Sequence, residues 1–111
     1  MKQCRYILIL TAIVLLITSC AGSKSNQVTE IQNPYLLQSE THIGNGMAAM
    51  QQERWELASR SFSRALTAAQ LADDAPLIKR CWYNLASAYS AAGQLIDAAA
   101  AYQRAIELSL R

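Results

Sequence analysis

Five positions in the middle of this chain return forty residues later: Ala58, Phe62, Arg64, Ala65 and Leu66 recur as Ala98, Tyr102, Arg104, Ala105 and Ile106. Self-similarity at that period marks a supersecondary unit used twice, each copy burying an apolar face against its neighbour. The segment around the recurrence is rich in Ala, Leu, Gln, Arg and Glu and poor in β-branched residues, which predicts helix throughout. Breakers come at intervals: Gly44 and Gly46, Gln51-Gln52-Glu53, Asp73-Asp74-Ala75-Pro76, and Gly93-Gln94. They divide the segment into four expected helices at about 36–51, 55–72, 76–92 and 95–110. Asp74 is a suitable N-cap for the third, and Pro76 fits its first turn, where a missing N–H costs nothing. Gly93 can take the left-handed conformation that ends this helix. The connections are short, so the fold class is all-α, with two antiparallel hairpins at about 36–72 and 76–110.

The second copy runs Trp82-Tyr83-Asn84-Leu85-Ala86-Ser87-Ala88-Tyr89, then Gly93, Ala98, Tyr102 and Ala105. That pattern resembles the tetratricopeptide repeat. The resemblance implies that Trp82, Leu85, Ala86 and Tyr89 are packing positions of a first helix, and that Ala98, Tyr102 and Ala105 are those of a second. Ala58, Phe62 and Ala65 take the second-helix positions in the first copy. Small Ala86 and Ala98 let paired helices approach, while the aromatic rings fill the space around the contact. The first copy departs from the pattern: His42 stands in the Trp82 slot, Asn45 in that of Leu85, Ala49 in that of Tyr89, and Glu53 in that of the turn glycine Gly93. Its Gly46 and its whole second helix still fit. The repeat is longer than the usual 34 or so residues, so about six extra residues must lengthen the helix after Leu66 or its connection. The likeness runs from about residue 39 onward.

Arrays of this family hold peptides or partner proteins on the concave surface of their first helices. Transferred slot by slot, that surface comprises Glu40, Ile43, Met47, Met50 and Gln51 in the first copy, and Arg80, Tyr83, Asn84, Ser87 and Ser90 in the second. Met47 and Met50 suit an adaptable apolar contact and suit a core equally well. Family members that clamp a terminal carboxylate carry Lys and Asn one turn apart, where this chain has Tyr83 and Ser87, so carboxylate clamping is not expected. Ile106, Leu108 and Leu110 continue the last helix toward Arg111 with an apolar face. Two hairpins are few for a stable array, so that face is expected to meet a second copy or a partner, or else the chain is a truncated piece of a longer array.

Catalysis is not expected. There is one histidine, no Gly-rich phosphate loop, and no His/Cys spacing suited to a metal. His42 reads as a packing or half-exposed residue, and Asp73-Asp74 as helix termination and capping. No cofactor or metal is implied.

The N-terminus carries a different message. Lys2 and Arg5 precede an apolar run from Tyr6 to Ile17, and small residues lead to Cys20, the organisation of an export signal. Twelve apolar residues span about 18 Å as a helix, against a hydrocarbon core of about 30 Å. Ile17-Thr18-Ser19-Cys20 resembles the lipobox of bacterial lipoproteins. The resemblance implies a signal peptide at 1–19, cleavage before Cys20, a diacylglyceryl group on its sulfur and a further acyl chain such as palmitate on its amine. Two or three chains make a lasting anchor where one is marginal. A chance cysteine after a short signal, or an uncleaved anchor helix, is the alternative. Ala21 stands where lipoproteins kept in the inner membrane often carry Asp, which favours the periplasmic side of the outer membrane in the bacterial cell envelope.

Residues 20–34 read as the lipidated cysteine and a polar tether closed by Pro34, leaving 35–111 as the folded part. Loss of Lys2 and Arg5 lowers the ten basic residues to eight, matching the eight acidic ones, so no basic stripe points to nucleic acid. Cys4 leaves with the signal and Cys20 is lipidated. Cys81 is then without an intramolecular partner, a buried packing residue or, alternatively, the site of a disulfide between chains. The expected function is that of a membrane-anchored adaptor for a protein or peptide partner in the envelope, serving secretion, pilus or cell-wall assembly. The alternative is a self-associating structural lipoprotein whose last helix makes the contact.

Overall fold

The computed structural model describes residues 33–111. The side-chain oxygen of Asn33 accepts the Tyr35 N–H at 3.0 Å, and Pro34 follows where an absent N–H is harmless. Helix α1 therefore starts there and covers Pro34–Gln51, two residues earlier than the breaker pattern predicts. It is followed by α2 at Trp55–Ala72, α3 at Ala75–Ala91 and α4 at Leu95–Ser109. The described residues hold no strand, and the fold is the expected all-α pair of antiparallel hairpins. The signal at 1–19, the lipidation residue Cys20 and the tether ahead of Asn33 lie outside the described residues. No described helix is long and apolar enough to cross a membrane.

The extra length of the repeat resides in the helices. α1 and α2 are each 18 residues long, and the connection after α2 is still only Asp73-Asp74. All three connections close alike: the N–H groups of Arg54, Asp74 and Gln94 reach back to the carbonyls of Ala49, Ala69 and Tyr89 at 2.9, 3.3 and 2.9 Å. Each reach needs one left-handed residue. Gly93 supplies it at φ 78°, as expected, but Glu53 at φ 58° and Asp73 at φ 53° do so despite their side chains. Closing the turn outweighs a cost of about 1–2 kcal/mol per residue.

Asp74 caps α3, its carboxylate accepting the Leu77 N–H at 2.9 Å, with Pro76 in the first turn. Replacing it with alanine is expected to cost about 1 kcal/mol. In a domain this small that is a drop of roughly 4–8 °C in Tm, readable by circular dichroism.

Packing follows chain order. α1 lies on α2, α2 on α3 and α3 on α4; α1 also touches α3, whereas α2 and α4 do not meet. The first helices therefore converge on one side. The shared core contains Ile43, Ala49, Ala58, Phe62, Ala65, Leu66, Ala69, Leu77, Cys81, Leu85 and Ala88, edged by Leu36, Met50, Ile78, Trp82 and Tyr89. Between α1 and α2 the approach is so close that a Cβ on Gly46 would stand 2.5 Å from the Phe62 ring. Between α3 and α4 the small residues Ala86, Ala98, Ala101 and Ala105 are buried. Of the remaining repeat-packing positions, Trp82, Tyr89 and Tyr102 are half-buried and Gly93 occupies its turn.

Candidate partner-binding surface

α1 and α3 present corresponding residues side by side. Glu40 and Arg80 occupy the same slot in successive repeats and form an ion pair between the two helices. Both side chains are about half exposed, so the pair contributes about 0–1 kcal/mol at most. Its consequence is geometric, since it ties the first helices together in register at one end of the shared face.

Farther along α3, Tyr83 meets Tyr102 of α4 edge-on, with ring centroids 6.0 Å apart and planes at 61°. That arrangement suits the aromatic quadrupoles. The Ser87 hydroxyl lies 3.4 Å from the Tyr102 hydroxyl, which holds the second ring from its polar end. Tyr83 keeps part of its ring in solvent, and Met47 of α1 is exposed. Gln51 and Ser90 are also exposed, and Asn84 is half-buried.

Two of the residues expected on this surface are placed differently. Ile43 is buried in the core that the two hairpins share; it cannot meet a partner. Met50 packs against the same core at its margin, which decides between its two sequence readings in favour of packing. Of the expected surface, Glu40, Met47, Gln51, Arg80, Tyr83 and Ser90 are exposed, and Asn84 and Ser87 are half-buried. Sequence reasoning missed the Glu40–Arg80 pair and the support of Tyr83 by Tyr102. Both signals were present, the first as opposite charges in one slot of the two copies.

His42 is half-buried in a hollow lined by Gln38, Arg64, Thr67, Ala68 and Leu71, none of them a carboxylate. Asp74 is engaged in capping. The described residues contain no group of three or more side chains placed to hold a metal.

Cys81 is a free, fully buried thiol. Its sulfur lies 3.7 Å from the Ser39 hydroxyl, which donates to the Ala65 carbonyl at 2.8 Å. Burial pushes the thiol pKa up, against smaller opposing pulls from Ser39 and Arg80. A soluble alkylating reagent is expected to label Cys81 only after denaturation. The stability owed to the neutral thiol is complete below its ordinary pKa of 9.0. It is lost as pH rises through the higher folded-state value. Urea midpoints should thus fall more steeply at alkaline pH in the native chain than in Cys81→Ala.

Stacked antiparallel hairpins whose first helices share one face define a helical-repeat scaffold. The family model described as tetratricopeptide repeat matches residues 37–111, and the chain belongs to that family. Domains of this family commonly bind protein partners and are typically non-catalytic. No curated protein and no solved structure matches the chain.

Proposed function

We propose that this protein is a lipid-anchored adaptor that recruits a protein or peptide partner in the bacterial cell envelope, for secretion, pilus or cell-wall assembly. The observation that carries the binding role is the partly apolar face shared by α1 and α3, with Met47 and Tyr83 accessible beside the polar Gln51, Asn84 and Ser90. A mobile thioether and a braced aromatic ring are suited to apolar anchor points on a partner. The face is nearly neutral because Arg80 is matched by Glu40, so the favoured partner offers apolar side chains and neutral hydrogen-bonding groups.

The anchor is the sequence-based half of the reading. Cys20 at the end of a basic and apolar leader supports lipidation, and Ala21 favours the outer membrane, on its periplasmic side. Cells fed labelled palmitate should incorporate label into the native chain, and Cys20→Ser should remove the label and release the protein from the membrane fraction. For the binding role, full-length protein is used as bait in envelope extracts, and Met47→Ala should weaken capture of the partner at least about tenfold, near 1.4 kcal/mol. Capture unaffected by Met47→Ala would move the binding role to another surface.

A further inference from the structure

Because the hairpins share their slots at an offset of forty residues, the surface that α3 covers on the first hairpin has a counterpart on the second. In the first, Ile43 is 5% and Leu66 8% exposed, with Phe62 between them. Their counterparts are Tyr83, 39% exposed, Ile106, 50% exposed, and the half-buried Tyr102. A mating surface is also present. Leu77 of α3 is 7% exposed, whereas its counterpart on α1, Leu37, is 64% exposed. Beside Leu37 on the open side of α1 lie Thr41, Ala48 and Gly44, around whose Cβ position there is open space.

We propose that a second copy of this chain stacks head to tail on the first. Its α1 takes, against α3 and α4, the place that α3 takes against α1 and α2. The charges agree with this occupant. Glu40 and Arg80 already pair across the internal junction from one shared slot, and the next first helix in the stack would bring the second copy's Glu40 beside Arg80. Acid and base would then alternate along the row of first helices, with no like charges adjacent. The junction between copies is more polar than the internal one, since Thr41 and Asn45 stand where Cys81 and Leu85 pack, so the stack is reversible. It is heterologous, joining unlike surfaces, and so extends in a line instead of ending at a two-fold dimer.

The internal junction also provides a ruler. Ser39 and Cys81 approach to 3.7 Å between α1 and α3, and the matching pair across the copy junction is Lys79 of one chain and Thr41 of the next. The test uses full-length chain in mild detergent carrying Cys4→Ser and Cys20→Ser, with the buried Cys81 retained. Thr41→Cys and Lys79→Cys are introduced into separate preparations. Mild oxidation should give a disulfide-linked dimer in the mixture and in neither preparation alone. Ile106→Arg in the Lys79→Cys chain should lower the yield at least about tenfold with an unchanged circular dichroism spectrum.

Absence of the mixed dimer, or a yield insensitive to Ile106→Arg, would overturn the proposal. Equal dimerisation within each single preparation would do the same, by showing a two-fold arrangement. A foreign helix on the α4 surface would appear as loss of the mixed dimer, again against it. The stack uses Tyr83 and not Met47, so partner capture is read through Met47 alone, and its failure and the failure of stacking are separate results.

Discussion

Phe62→Ala is expected to remove a large share of the protein's stability. The ring is 2% exposed and sits where α1 and α2 approach most closely, in contact range of Gly46. Removing a buried phenylalanine costs about 3–5 kcal/mol through lost transfer energy and the cavity left behind. At roughly 0.05–0.15 kcal/mol per residue, a folded part of this size has about 4–12 kcal/mol in all. The urea midpoint should fall by about a quarter at the least, and nearly to zero at the lower end of that stability range. The core around Phe62 is built largely of alanine, and short side chains cannot collapse into the space. A loss below about 1 kcal/mol would mean that the two helices re-pack freely, contrary to the close approach described.

Gly46→Ala and Gly44→Ala are expected to move stability in opposite directions, although the two glycines are neighbours in the same helix. A Cβ on Gly46 meets three atoms of the Phe62 ring at 2.5–2.8 Å, whereas one on Gly44 meets nothing within 4 Å. In both, alanine improves helix propensity by up to about 1 kcal/mol. At Gly46 the walled-in ring has nowhere to move, and overpacking of about 1–3 kcal/mol should dominate. At Gly44 only the gain should remain. Adding Phe62→Leu to Gly46→Ala should recover part of the loss, a coupling that a double-mutant cycle in urea measures. The second hairpin accepts Ala86 in the same slot, opposite Tyr102 in place of Phe62.

Much of the architecture was legible because its punctuation is chemical. Asp74 with Pro76 marks the start of α3, Gly93 marks the turn before α4, and the recurrence of Ala58 and Phe62 as Ala98 and Tyr102 marks the hairpin used twice. The turns at Glu53 and Asp73 were less visible, since a left-handed conformation imposed by helix packing leaves no glycine to announce it. The partner surface was legible in part. Slot arithmetic places Ile43 and Tyr83 alike, yet one is buried in the shared core and the other is open. Periodicity along one helix says which face a residue shares. It does not say what is stacked on that face.

The neighbour-by-neighbour packing of the four helices also governs how the chain reaches its native state. α2 touches only α1 and α3, and α4 touches only α3, so few contacts require distant parts of the chain to find one another. Such local topology places folding in the microsecond-to-millisecond range. Opening should begin at α4, which is held from one side, so its amides should exchange with deuterated solvent before those of α2, clasped from both.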